Sequence, residues 1–166
     1  MRARDIMTKK PECCTRDNTA REAARVMRDR DCGVVPVVDD AGRVVGIVTD
    51  RDLAVRIVAA GKDANTRLAD VMTGSAAVCN QDDDLRDVEQ KMAEMQIRRI
   101  PIVDAGGRCL GIISQADIAR AAGRGDDTVS EQEIALVLEQ ISEPAHPPRP
   151  RAKEAVSEPE PVQPQF

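Results

Sequence analysis

The sequence predicts an α/β fold: two pseudo-symmetric repeats, each a strand, helix, hairpin and helix around a small sheet, packed as one module. A C-terminal helix and a disordered tail follow. Three observations carry this reading. The second third of the chain repeats the first: Met7 returns as Met72, Pro36 as Pro101 and Asp52 as Asp117, a constant spacing of 65 residues. Such self-similarity fixes architecture before any single element does. At 166 residues the chain allows units of only ~60 residues each, which bury too little surface to be stable apart. The two halves must therefore share an interface. Within each half, apolar β-branched runs alternate with helical patterns, the signature of a small sheet covered by helices.

Each repeat opens with a short helical turn, Arg4 to Thr8 and Leu68 to Thr73, followed by a β-prone stretch, Glu12 to Thr15 and Ala76 to Asn80. Thr19-x-x-Glu22 has the form of a capping box, ahead of an amphipathic helix with Ala23, Val26 and Met27 on one face. Its counterpart starts near Asp84 and carries Leu85, Val88, Met92 and Met95. Asp82, Asp83 and Asp84 read as caps, since carboxylates favour the positive end of a helix dipole. Val34 to Val38 and Arg43 to Val48, joined by Asp39-Asp40-Ala41-Gly42, read as a hairpin, repeated over Arg99 to Val103 and Arg108 to Ile113. Pro36 and Pro101 predict a strand end or bulge, because proline donates nothing to a ladder. A closing helix follows in each copy, Asp50 to Ala60 and Gln115 to Ala122. Ser130-x-x-Glu133 caps a further helix over Glu131 to Ile141, packed on the module or its partner. From Ser142 onward seven of the ten prolines occur among mixed charges, a composition that cannot bury a core and predicts disorder. The boundaries are thus 1–61 and 62–124 for the repeats, 125–141 for the helix and 142–166 for the tail.

Composition excludes several functions. The net charge is −5, with no Trp, no Tyr and a single Phe, Phe166. A phosphate backbone needs a clustered basic surface, and single-stranded nucleic acid needs aromatic platforms. The core is aliphatic, with Met as filler. No apolar run reaches the ~18 residues of a membrane span, and the start of the chain lacks a signal-like apolar stretch, so a cytoplasmic protein without nucleic-acid or membrane partners is expected. The five cysteines, Cys13, Cys14, Cys32, Cys79 and Cys109, do not form a secreted disulfide framework. They contain no Cys-x-x-Cys pair, and the sole histidine is His146, so a local tetrahedral zinc site is not expected. Cys14 and Cys79 read as small apolar groups lining core or cleft, and Cys13 is the candidate for redox chemistry. Without histidine in the folded region, imidazole-based catalysis is excluded, and no Gly-rich loop with Lys cradles phosphate. No enzyme and no catalytic cofactor are expected.

The recurrence of Asp5-Ile6-Met7-Thr8 as Asp70-Val71-Met72-Thr73, of an apolar-Pro-Val-Val-Asp run and of Gly46-Ile47-Val48-Thr49-Asp50-Arg51-Asp52 resembles a tandem pair of CBS domains, the Bateman module, over residues 1 to 122. Asp50 to Arg56 and Ile97 to Pro101 resemble the compact bacterial stand-alone pairs. The resemblance implies a homodimer and an adenosine-containing ligand in the clefts between repeats: AMP, ADP, ATP or S-adenosylmethionine, held as a regulatory ligand.

Thr49-x-x-Asp52 and Ser114-x-x-Asp117 each end a β run and open a helix. A hydroxyl beside free helix N–H groups suits a phosphate, and a carboxylate one turn on suits a ribose diol. The resemblance assigns phosphate and ribose contacts to these positions. The same spacing also makes capping boxes that merely start helices, and sequence alone leaves both readings open. Gly46 and Gly111 permit close backbone approach. Arg98 and Arg99, where the first repeat has Gly33 and Val34, either face phosphates or form a solvated or ion-paired edge. This asymmetry predicts that the two clefts differ in affinity. The leading expectation is a regulatory module sensing an adenine nucleotide and reporting to an unknown protein target. The alternative is a ligand-free interaction or stress-response scaffold acting through its dimer surface, C-terminal helix or tail.

Overall fold

Neither sheet is made from one repeat alone. The computed structural model describes residues 1–122 together with Gln132, Ala135, Glu139 and Ser142. Its elements run α1 (Ala3–Ile6), β1 (Thr8–Lys9), β2 (Cys14–Thr15), α2 (Ala20–Asp29), β3 (Val34–Val38), β4 (Val44–Thr49), α3 (Asp50–Leu53), β5 (Thr73–Gly74), β6 (Cys79–Asn80), α4 (Leu85–Glu94), β7 (Arg99–Val103), β8 (Cys109–Ser114) and α5 (Gln115–Ala122). One sheet has the order β2-β3-β4-β5 and the other β6-β7-β8-β1. β1 therefore leaves the first half to pair antiparallel with β8, Thr8 opposite Ile112 and Lys9 opposite Gly111. β5 returns the exchange by pairing with β4, Thr73 opposite Ile47.

The cores follow the exchange. Ala3 is buried with Leu85, Val88, Met92, Ile100, Ile102, Ile113 and Ile118, and Met1, Ile6 and Met7 pack on that cluster. Leu68 and Val71 are buried with Ala23, Met27, Val35, Val37, Val48 and Ile57. The opening segment of each repeat thus belongs physically to the other half. The hairpin tips add a third tie: Val44 N donates to Gly107 O and Cys109 N to Gly42 O, both at 3.0 Å.

This exchange explains the repeated Met and Gly. A Cβ on Gly46 would lie 2.8 Å from the Met72 sulfur and 2.8 Å from the Thr73 carbonyl. A Cβ on Gly111 would strike the Met7 sulfur and come within 3.0 Å of the Thr8 carbonyl. Both glycines are buried, and the close backbone approach they permit is that of the exchanged strands.

Several local expectations change. The opening turns are shorter than expected: α1 ends at Ile6, and its counterpart is a 3-10 turn, Leu68–Asp70, so that Thr8 and Thr73 are free to begin strands. Pro36 sits inside β3, opposite Ile47, with the irregularity one step later between Val37 and Val38. β2 reaches β3 only from Val37 onward, so on that side Pro36 interrupts no pairing. Thr19 and Glu22 do form the capping box, Thr19 N donating to Glu22 Oε2 at 2.6 Å and Glu22 N to Thr19 Oγ1 at 3.2 Å. Asp84 precedes α4 without a side-chain cap. Asp83 accepts from Asn80 N at 2.7 Å, Asp82 pairs with Arg4, and Leu85 N donates to the Met1 carbonyl at 2.9 Å. The helix after β4 is α-helical only to Leu53 and continues as a π-helical turn, Ala54–Val58. Gln132, Ala135, Glu139 and Ser142 are helical and exposed, and Gln115 Nε2 donates to Ser142 Oγ at 2.9 Å. The rest of the expected Glu131 to Ile141 helix, and the tail beyond Ser142, lie outside the described residues.

Replacing either glycine tests the exchange. Gly46→Ala or Gly111→Ala is expected to cost about 1–3 kcal/mol, because the opposing carbonyl is backbone and cannot rotate away. Urea denaturation measures this; losses no larger than those of an exposed substitution would show that the exchanged strands yield freely.

Candidate functional site

Two seams separate the halves, each bounded by a β-to-α corner and the strand received from the other half. At the β8–α5 corner, Ser114 Oγ accepts from Asp117 N at 3.2 Å. Asp117 Oδ2 accepts from Ser114 N at 2.8 Å and from Ser114 Oγ at 2.6 Å. Asp117 Oδ1 accepts from Arg120 Nη2 at 2.6 Å. The β4–α3 corner repeats this: Thr49 Oγ1 accepts from Asp52 N at 3.1 Å, and Asp52 Oδ2 accepts from Thr49 N at 2.9 Å and Oγ1 at 2.8 Å. Both corners are therefore complete capping boxes. Of the two meanings open for this spacing, the capping one is visible directly.

The seams differ in what stands beside the boxes. At the first, a cavity of about 570 Å³ opens between Ser114, Asp117 and Arg120 on one side and Lys9, Lys10, Arg30 and Cys32 on the other, a volume within the usual range of small-molecule sites. Lys10 and Asp31, both on its wall, hold positive φ of 52° and 48°, a backbone state that non-glycine residues adopt uncommonly. At the second seam Arg56 leans across. Its Nη1 donates to the Val71 carbonyl at 2.7 Å and its Nη2 to Thr73 Oγ1 at 3.3 Å, with Asp52 Oδ1 3.4 Å away. The repeat equivalent of Arg56 is Ala121, which cannot make such a brace.

Charge is concentrated on the open seam. Arg30 is paired with Glu12 at 2.6 Å and Arg120 with Asp117. Lys9, Lys10 and Arg99 also line the cavity and make no ion pair among the described residues. Arg99 opens β7 opposite Ser114, and its guanidinium runs past Gly33, where a Cβ would stand 3.5 Å from Nη2.

The expected site residues divide accordingly. Ser114, Asp117 and Arg99 meet at one cavity. Thr49 and Asp52 sit at the seam that Arg56 braces. Arg98 is exposed and contributes its carbonyl, accepting from Gln115 N at 2.9 Å, while its side chain is not on the cavity wall. Gly46 and Gly111 are covered by Met72 and Met7. Sequence reasoning missed Lys9, Lys10, Arg30 and Arg120. A signal existed: Lys9-Lys10 stands where the second repeat has Gly74-Ser75, and Arg120 where the first has Val55.

Burial alone would raise the Asp117 carboxyl, but the Ser114 hydroxyl and amide together with Arg120 outweigh it and hold it below the usual carboxylate range. Its contribution to stability is therefore fully present above the unfolded-state value of about 3.9 and lost as pH falls through the lower folded value. Asp117→Asn is expected to lower stability at neutral pH by about 1 kcal/mol. The two proteins should converge in acid, as read from thermal unfolding across pH; a pH-independent difference would contradict this.

Comparison with known proteins agrees with this architecture. The CBS-domain family profile matches residues 3–59 and 68–124. Hypoxic response protein 1 of Mycobacterium tuberculosis (strain ATCC 25618 / H37Rv) is 36% identical over 119 residues, covering 71% of this chain and 82% of that one. The crystal structure of the hypoxic response protein with two coordinated zinc ions superposes with a TM-score of 0.67 at 34% identity, covering 72% of this chain and 98% of that one. Among the described residues, no three His, Cys, Asp or Glu side chains are grouped to hold a metal ion. The CBS domain pair of protein MJ0100, solved with 5′-methylthioadenosine and S-adenosylmethionine, gives a TM-score of 0.69 at 29% identity, covering 75% and 97%. CBSX2, solved with AMP, gives 0.66 at 26%, covering 74% and 96%. With both repeats matched in register and the exchanged sheets in place, this chain is a member of the CBS-domain family, a tandem pair of that domain.

Proposed function

We propose that this protein is a regulatory, non-catalytic module that binds an adenine nucleotide in the seam between β1 and the β8–α5 corner. The observation that carries the reading is the convergence of Lys9, Lys10 and Arg99, none ion-paired among the described residues, on one cavity beside Ser114 and Asp117. Phosphates would take the cations and the Ser114 end of α5, through charge-assisted bonds of roughly 1.5–3 kcal/mol each. The ribose would compete with Arg120 for Asp117 Oδ1; Arg120 is largely exposed and can swing aside. Two family relatives, one solved with AMP and one with 5′-methylthioadenosine and S-adenosylmethionine, support an adenosine-containing ligand. The basic wall favours AMP, ADP or ATP over S-adenosylmethionine, whose sulfonium is itself a cation.

The second seam, with Thr49 and Asp52, is the weaker site, because a ligand there must first displace Arg56 from Val71 and Thr73. Unequal occupancy would shift the halves only if the ligand favours one arrangement of the seams. A homodimeric scaffold that acts through its surface is the second reading. It is favoured by three exposed large apolar side chains, Val55, Val58 and Met95, at 56%, 77% and 51% exposure. A cytoplasmic location fits either reading.

Calorimetric titration with AMP, ADP, ATP and S-adenosylmethionine decides between them. Arg99→Ala and Asp117→Ala are each expected to weaken nucleotide binding about tenfold or more, and Arg56→Ala to leave the tighter site unchanged. No heat and no thermal shift with any of the four compounds would remove the sensor reading. For the scaffold, Val58→Asp should convert a dimer to a monomer in sedimentation; an unchanged mass would count against that surface.

A further inference from the structure

We infer, on the basis of the nucleotide site just proposed, that its ligand is a nucleoside polyphosphate whose distal phosphates cross Lys9 and Lys10 into a second recess beside Arg4 and Gln81. That recess, of about 370 Å³, is lined by Arg4, Asp5, Gln81 and Leu110 together with Lys9 and Lys10. The same two lysines line the cavity that holds Ser114 and Asp117, so the two spaces meet along this dipeptide. Successive side chains of a strand point to opposite faces, and adjacent lysines would ordinarily serve different sides. Lys10 breaks the alternation. Its φ is 52°, while its N–H still donates to the Leu110 carbonyl at 3.0 Å, so the chain turns without leaving β8. Both lysines therefore border both recesses.

Lysines on a sheet edge also guard it against pairing with another chain, and β1 is an edge strand. The other repeat shows that this fold does not require such a guard. β5 is the edge of its own sheet and is equally short. It is followed by Ser75 in the same left-handed conformation, φ 53°, with Gly74 and Ser75 where β1 has Lys9 and Lys10. The backbone device is duplicated; the two cations are not.

Most acids around the two spaces are already engaged. Asp82 takes Arg4, Glu12 takes Arg30, and Asp117 takes Arg120, while Asp5 accepts from Arg2 N at 2.8 Å. Asp31 remains on the wall of the Ser114 cavity. Lys9 and Lys10 are exposed and make no ion pair among the described residues, so positive charge stands where the spaces join. A monophosphate seated at Ser114 and Arg99 would leave that charge unanswered. The strand to be crossed is about 5 Å wide by the usual strand spacing, a span that two further phosphates cover. Their oxygens would accept charge-assisted bonds from both lysines, and the Gln81 amide offers a neutral N–H donor beyond them.

Titration calorimetry of the full chain with AMP, ADP, ATP and inorganic tripolyphosphate is the test. It is run with EDTA at about 0.15 M salt, where charges more than ~8 Å apart are largely screened. Affinity is expected to rise from AMP to ATP by about tenfold or more, with tripolyphosphate weaker than ATP. Gln81→Glu adds a carboxylate to the second recess and should narrow the preference for ATP over AMP to within about threefold. Arg4→Gln should narrow it likewise, and carries the test should Gln81→Glu not fold. Equal affinity for AMP and ATP, or a preference for ATP that survives both variants, overturns the polyphosphate assignment and leaves the nucleotide site standing. Tripolyphosphate binding as tightly as ATP overturns it in favour of an inorganic anion site. No binding of any of the four removes the nucleotide site and the polyphosphate assignment with it.

Discussion

Because each sheet is finished by two residues lent from the opposite half, neither half can close its core without the other. The lending is possible only where a backbone can lie flat against another backbone, and Gly46 and Gly111 supply those places. Met72 and Met7 then cover the bare glycines with flexible thioethers that fill an irregular gap. From this one packing constraint come the order of both sheets, the burial of Ala3 and Leu68 in the cores of their neighbours, and the position of the seams. It also brings Lys9 and Lys10, near the start of the chain, to the corner where Ser114 begins a helix.

The duplication leaves the scaffold symmetric and the seams different. Each corner has a carboxylate held by a helix start, and each has an arginine further along the same helix. At one corner that arginine, Arg120, remains at the surface, holding the second oxygen of Asp117. At the other, Arg56 lies within a π-helical turn and spans to the carbonyl of Val71. The arginine thus stands beside a cavity on one side and braces the seam on the other. An acidic protein can still present a basic recess, because field lines focus in a cleft walled by low-dielectric side chains.

Much of this was readable from the chain. The repeat, the hairpins and the Thr19 and Ser114 capping boxes all follow from spacing and residue chemistry. The exchange of β1 and β5 was not readable, because a two-residue strand has no periodicity to detect. Thr8 and Lys9 look like the end of a helical turn until a partner strand is seen. For the same reason Gly46 and Gly111 could be recognised as sites of close approach but not assigned the thing that approaches. Capping and ligand contact demand the same residues at the same spacing, so Ser114 and Asp117 were found without their role. Lys9-Lys10 departs visibly from Gly74-Ser75, yet its relevance depends on which sheet β1 joins.

The all-aliphatic interior has an optical consequence. With no Trp or Tyr and a single Phe at position 166, the polypeptide is nearly transparent in the near ultraviolet, and its unfolding gives no intrinsic fluorescence change. A purine carried through purification would be by far the strongest chromophore in the sample. The absorption spectrum of freshly isolated protein, before anything is added, therefore tests whether a purine has come with it.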